Sequence, residues 1–106
     1  MGDRAFAAAV RQHLDGDLGA AIGGYRRVLA SDPNHADALN NLGGALMRHE
    51  RGSAAEAEQA LARAVRLRPT YADAYVNLGV CRRERGALRG ALTAFASAAA
   101  RIRSAQ

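Results

Sequence analysis

Residues that could catalyse a reaction or bind a metal are few and scattered along the chain. His13, His35 and His49 stand far apart, and none has a carboxylate at the spacing of a catalytic pair or a metal site. Cys81 is the only cysteine, which excludes an internal disulfide and a cysteine-rich zinc site. Because Cys81 has no partner base at a recognisable spacing, the favoured interpretation is a small, buried hydrophobic thiol.

Two short segments share a feature with ligand-binding loops but lack the rest of the pattern. Residues 13–17, with the sequence His-Leu-Asp-Gly-Asp, lack the series of oxygen ligands found in a calcium loop, and this favours a plain turn. The glycines at 19, 23 and 24 are not followed by Gly-Lys-Ser/Thr, so they do not form a phosphate loop. The sequence therefore predicts that the protein is not an enzyme and that it needs no metal and no cofactor.

The composition indicates one helical domain. The chain has 106 residues, including 26 alanines, 15 arginines and no lysine. Alanine and arginine are among the best helix formers. No apolar run approaches the roughly 18 residues of a membrane-spanning helix, and the N-terminus lacks the pattern of a secretory signal. We therefore expect a cytoplasmic protein without a membrane anchor.

The net charge is +5, and the positions of the charged residues indicate which kind of partner or surface it reflects. Asp3, Asp37 and Asp73 open predicted helices, whereas arginines gather near helix ends. This arrangement complements the helix dipoles and favours a solvated, dipole-matched surface. No aromatic residues interleave with the arginines, which argues against a nucleic-acid partner. An acidic protein partner is the alternative explanation of the charge.

The chain repeats itself three times. Residues 36–43 (ADALNNLG) return 36 residues later as residues 72–79 (ADAYVNLG). A second pattern begins at Gly16 and returns at Gly52 and at Gly86. The repeats divide the chain into units of about 2–35, 36–71 and 72–106. Apolar spacing predicts two helices in each unit, near 3–15, 18–31, 36–50, 54–67, 72–85 and 88–103.

Turn residues separate the predicted helices. Prolines end the second helices of the first two units: Pro33 and Pro69. Capping boxes are predicted before two first helices: Asn34 with Asp37, and Thr70 with Asp73. Left-handed backbone is predicted at three glycines: Gly16, Gly52 and Gly86. The middle unit carries two extra residues before Gly52, and we expect them to extend its first helix.

These features resemble the tetratricopeptide repeat (TPR) family, whose motif is a helix–turn–helix of 34 residues. Leucine and glycine occupy the seventh and eighth motif positions at Leu42 and Gly43, and again at Leu78 and Gly79. The second half of the motif is matched by Gly86, Ala91, Phe95 and Ala98. The resemblance implies an all-α fold: a right-handed α-solenoid of three units and six helices, forming a single TPR domain over residues 1–106.

In this family the first helices of the units line a concave groove that binds a peptide or helical segment of a partner protein. The resemblance therefore implies a protein–protein interaction module with an unidentified protein or peptide partner. Carrying over six groove positions in each unit also reaches Asp3, Ala7, Leu14, Gly44 and Glu84, and it gives thirteen candidates for partner binding: Phe6, Val10, His13, Asp37, Asn40, Asn41, Met47, Arg48, Asp73, Val76, Asn77, Val80 and Arg83.

Asn41 and Asn77 share the sixth motif position. An amide offers a donor and an acceptor, so these side chains could hold the backbone of an extended peptide. Asparagines at this position resemble the asparagine ladder of TPR-containing glycosyltransferases. The alternative is that they are merely exposed polar residues. The family's clamp for a C-terminal carboxylate is matched at Asn41 alone, because its other positions hold Phe6, Val10, Asp73 and Asn77.

An apolar stripe runs along the first helix through Phe6, Val10 and Leu14. In the family register it faces the groove, where it would suit an apolar partner segment together with Val76 and Val80. The alternative is that this helix rotates and buries the stripe in the core.

The last helix carries a second apolar stripe, at the place where a further repeat would stack: Leu92, Ala96, Ala99 and Ile102. An exposed stripe of this kind predicts an interface, most simply a homodimer. Two alternatives to the binding module therefore stay open. The chain could be a self-associating scaffold unit, or it could be the interaction arm of a larger enzyme such as a TPR-containing glycosyltransferase.

Overall fold

The structure is a computed structural model that describes residues 2–49 and 51–105, and over these ranges it contains α-helices and no strand. The helices are α1 (Gly2–Leu14), α2 (Leu18–Ser31), α3 (Ala36–Arg48), α4 (Ala54–Leu67), α5 (Ala72–Glu84) and α6 (Leu88–Ser104). Every predicted helix is present, and each observed end lies within two residues of its predicted position. The expectation of an all-α helical repeat fold is confirmed.

The helices pack as three hairpins that stack in chain order. The pairs α1–α2, α3–α4 and α5–α6 make the most extensive contacts, and α2 packs on α3 as α4 packs on α5. Helix α3 also touches α1 and α5. The first helices of the three units therefore stand side by side and form one continuous face of a stack that measures 35 × 30 × 22 Å.

Close approach of paired helices depends on small residues. A Cβ atom added to Gly43 would lie 2.5 Å from Leu61 Cγ, and one added to Gly79 would lie 2.5 Å from Phe95 Cε1. In the first hairpin the same role falls to Gly24, whose added Cβ would lie 2.8 Å from the Cβ of Ala9. Gly43 and Gly79 therefore bring the hairpin helices together by leaving room for a large side chain.

The largest fully buried side chains are Tyr25, Val28, Leu61 and Cys81. Cys81 lies on the packed side of α5 as predicted, and its Sγ donates to the carbonyl of Ala54 at 3.2 Å. Burial raises the pKa of the Cys81 thiol, so it stays protonated at neutral pH.

The predicted capping boxes before α3 and α5 are wrong. The N-cap residues are His35 and Tyr71, so Asn34 and Thr70 stand one residue too early. The His35 imidazole does the capping of α3, because its Nδ1 accepts a hydrogen bond from the backbone N–H of Ala38 at 3.0 Å. The Tyr71 side chain makes no capping bond.

The segment between α3 and α4 also departs from expectation. Gly16 and Gly86 have positive φ angles of 84° and 79°, as predicted, but Gly52 does not. Glycine is needed at 52 for another reason: a Cβ there would collide with the carbonyl oxygen of Leu46. The predicted end of the helix, residue 50, lies outside the described residues. Helix α3 ends at Arg48 and has the same length as α1 and α5, 13 residues, so the two extra residues do not extend it.

Candidate functional site

The face formed by the first helices contains a groove of about 570 Å³. Its lining residues come from α1, α3 and α5: His13, Asn40, Asn41, Gly44, Met47, Arg48, Asn77, Val80 and Glu84. The structure thus brings together seven of the thirteen candidates in one concavity. Gly44 and Glu84, which also stand at groove positions of the repeat motif, complete the lining.

Three asparagines form a hydrogen-bonded chain across the groove floor. Asn77 Nδ2 donates to Asn40 Oδ1 at 2.9 Å, and Asn40 Nδ2 donates to Asn41 Oδ1 at 3.3 Å. Asn40 is 6% exposed and lies beneath the other two, so it acts as a bridge and not as a surface contact. This pairing orients both outer amides and leaves Asn77 Oδ1 as an acceptor for a ligand. Asn41 Nδ2 also interacts with the Tyr25 hydroxyl, and its second N–H is the donor for a ligand.

One end of the groove is basic. His13 Nδ1 and the Tyr25 hydroxyl share a hydrogen bond of 2.9 Å. Burial lowers the pKa of His13, and the charge of Arg48 lowers it further, so the imidazole is neutral at pH 7. The Arg48 side chain is exposed and forms no ion pair with any carboxylate of residues 2–49 and 51–105. On the opposite wall, Glu84 faces Arg83 at 3.8 Å.

The apolar stripe of α1 does not line the groove as a unit. Phe6 and Val10 are half-buried and pack against the core. The Phe6 ring stands 4.6 Å from the ring of His35 and 6.1 Å from the ring of Tyr25, measured between centroids. Leu14, by contrast, is 82% exposed. Phe6 is therefore a core residue, while Val10 and Leu14 border a smaller hollow of about 350 Å³ beside the groove.

Asp37 lies outside the groove lining, because its carboxylate pairs with the segment that links α4 to α5. It accepts hydrogen bonds from the Tyr71 hydroxyl at 2.6 Å and from Arg68 Nη1 at 3.0 Å. These two bonds lower the pKa of Asp37, the Tyr71 bond more than the Arg68 bond. The remaining predicted groove residues also stand outside the lining: Asp73, Val76 and Arg83.

The apolar stripe of α6 is exposed along much of its length. Leu92 is 70% exposed and Ile102 is 48% exposed; Ala96 is exposed and Ala99 half-buried. Ile22 holds the register position in α2 that Leu92 holds in α6, yet it is only 6% exposed. The difference arises because α3 packs over α2, whereas no element of the described ranges packs over this side of α6.

Within residues 2–49 and 51–105, no three histidine, cysteine or carboxylate side chains gather in a group that could hold a metal ion. In the same ranges, no helix is long and apolar enough to cross a membrane.

Comparison with known families gives one match. The family model of the tetratricopeptide repeat matches residues 15–71 and again residues 50–106. A search of curated proteins gave no significant match.

Solved structures resemble the whole stack. The second TPR of Spaghetti (RPAP3), bound to the HSP90 peptide SRMEEVD, superimposes with a TM-score of 0.85 at 24% identity, covering 92% of this chain and 88% of that one. The first TPR of Spaghetti, bound to the same peptide, superimposes with a TM-score of 0.88 at 22% identity, covering 94% of this chain and 78% of that one. A structure of MamA gives 0.87 at 20% identity, covering 98% of this chain and 60% of that one. At these identities the likeness establishes the fold alone.

Proposed function

The chain belongs to the tetratricopeptide repeat family, whose fold generally mediates protein–protein interactions, and on that premise we propose that its groove binds an extended segment of a partner protein. The observation that carries the proposal is the asparagine chain on the groove floor. Asn77 Oδ1 and Asn41 Nδ2 offer an acceptor and a donor held in fixed orientation. An extended peptide presents backbone N–H and C=O groups that match this pair.

The peptides bound in the two Spaghetti structures lend support to a peptide as the class of ligand. The clamp for a terminal carboxylate does not fit this chain, because Phe6 and Val10 pack against the core and Asp73 would repel a carboxylate. We therefore propose an internal segment of the partner as the ligand. We propose no catalytic role, since the groove lining pairs no nucleophile with a base.

Groove substitutions test this proposal. The probe is a set of peptides selected on the protein from a random decapeptide library with acetylated and amidated ends. Asn41→Ala combined with Asn77→Ala should weaken binding of these peptides by about 10- to 100-fold, because roughly 1–3 kcal/mol of hydrogen bonding is lost. Isothermal titration calorimetry measures the effect.

A second variant separates binding from stability, because removing either amide also leaves a polar atom of buried Asn40 without its partner. A Cβ on Gly44 meets only Asn77 Nδ2, at 3.7 Å, so Gly44→Met should fill the groove and spare the fold. Gly23→Met, outside the groove lining on α2, is the matched control. Undiminished affinity in Gly44→Met, or equal loss in Gly23→Met, would remove the groove as the binding site.

We also propose self-association through α6 as a second function, because Leu92 is exposed where its counterpart Ile22 is buried. Leu88, one turn before Leu92, is 64% exposed and extends the apolar stripe. A second copy packed against α6 would cover the stripe. Arg89 and Arg103 flank the stripe and α6 contains no acidic residue, so an antiparallel α6–α6 pair brings like charges together. Salt should therefore strengthen the dimer by screening this repulsion.

Light scattering at tens of micromolar protein tests self-association. The mass should exceed the 11.2 kDa of one chain and should rise further with added salt. Leu92→Gln combined with Ile102→Gln should return the mass to that of one chain, since the apolar contact is lost without adding charge. Leu14→Gln, at the other end of the stack, should leave the dimer intact. A monomer of the unmodified chain at all salt concentrations would reject this candidate.

A further inference from the structure

Resting on the groove as the binding site, we propose that its ligand carries an acidic side chain, aspartate or glutamate, that pairs with Arg48 at the basic end of the groove. The ligand is thus an extended segment with its backbone on the asparagine chain and one carboxylate at this end.

Arg48 is the arginine that lines the groove, and among the described residues it lacks the partners that several other arginines have. Arg26 and Arg85 each face a glutamate within 2.7 Å, and Arg101 Nε donates to the carbonyl of Pro69 at 2.8 Å. Arg48 has no such carboxylate partner within the described ranges, and its side chain borders three adjoining hollows, the groove among them. Within these ranges no carboxylate pairs with this guanidinium, which lines the concavity.

His13 contributes a second polar group at the same end. Its Nδ1 is held by the Tyr25 hydroxyl, which leaves Nε2 as the ring nitrogen that can meet a ligand. The imidazole and Arg48 line the groove together. When the Tyr25 O–H donates to Nδ1, the ring proton sits on Nε2, and a carboxylate here accepts hydrogen bonds from both the guanidinium and the imidazole. Hydrogen bonds to an ionised group are stronger than those between neutral groups.

The acidic residue of the groove lining does not compete with the ligand's carboxylate for Arg48. Glu84, the acidic residue of the lining, stands on α5 and faces Arg83. The net charge of +5 adds a long-range attraction for acidic segments. The charge of Arg48 at this end of the groove and the net charge of the whole chain therefore favour the same ligand.

The experiment uses the same end-blocked decapeptide library, selected in parallel on the unmodified protein, on Arg48→Gln and on Arg27→Gln. Arg27 is exposed on α2 outside the groove and serves as the matched control. We expect acidic residues to be enriched at one position of the peptides selected on the unmodified protein and on Arg27→Gln, and not on Arg48→Gln.

Titration of single peptides then measures the coupling. Changing the enriched glutamate of a selected peptide to glutamine should weaken binding about tenfold on the unmodified protein and leave binding to Arg48→Gln unchanged. Groove-dependent peptides without acidic enrichment, or an equal effect of the glutamine peptide on both proteins, would overturn the pairing while leaving the groove in place. Peptides that bind equally well to the Gly44→Met variant would overturn both proposals together.

Discussion

Gly43→Leu is expected to lower the free energy of unfolding by about 3 kcal/mol or more, since overpacking a tight core usually costs about 1–3 kcal/mol and the clash here begins at the Cβ. That atom would lie 2.5 Å from Leu61 Cγ, and Leu61 is 0% exposed, so it has nowhere to move. Gly79→Leu should lower the free energy of unfolding by less, because the Phe95 ring that it meets is only partly buried and can move outward. Urea denaturation followed by circular dichroism measures both.

Alanine variants provide a control with the same chemical change at two sites. Gly43→Ala still places a Cβ against Leu61 and should destabilise the protein. A Cβ on Gly23 meets only Arg27 Nη1, at 3.5 Å, so Gly23→Ala should stabilise α2 by about 0.5–1 kcal/mol through helix propensity. If Gly43→Leu unfolds at the same urea concentration as the unmodified chain, the close packing of α3 on α4 is refuted.

Tyr25→Ala is expected to lower the free energy of unfolding by about 3–5 kcal/mol, the usual cost of truncating a buried aromatic residue. Tyr25 is 0% exposed, and its ring lies beside those of Phe6 and His13. The truncation would leave a cavity where α1, α2 and the basic end of the groove meet. Thermal and urea unfolding should both report the loss.

Tyr25→Phe separates packing from hydrogen bonding at this site. It keeps the ring but removes the hydroxyl that holds His13 Nδ1, and we expect a cost of about 1 kcal/mol. A phenylalanine variant as unstable as the alanine variant would place the stabilisation in the hydrogen bond and would contradict the packing argument.

The fold was predictable from sequence because its determinants are local and repeat. The pattern that begins at Gly16 returns at Gly52 and Gly86, and it predicts three hairpins. Gly43 and Gly79 recur at one register and mark the close approaches of α3 and α5 to their partners. Helix ends near Pro33 and Pro69 followed from the backbone of proline. These signals need no knowledge of which residues meet across the stack.

The details that the sequence did not predict depend on contacts between repeats. Asn40 is buried because amides on two helices satisfy it, which its position in the motif does not reveal. Phe6 packs against the core because its ring meets those of Tyr25 on α2 and His35 at the start of α3. The repeat register thus brings seven of the candidates into one concavity, while contacts with other elements decide where Phe6 and Asp37 lie.

The stacking of each helix on its neighbours in the sequence also bears on how fast the chain folds. Among the described residues, the side-chain hydrogen bond with the greatest separation joins partners 37 residues apart, Asn77 and Asn40. Forming such contacts closes only short loops, and the entropy cost of closure grows slowly with loop length. Chains with low contact order fold in microseconds to milliseconds. Any of the three hairpins can therefore nucleate folding, which then spreads to the adjoining units without waiting for the termini to meet.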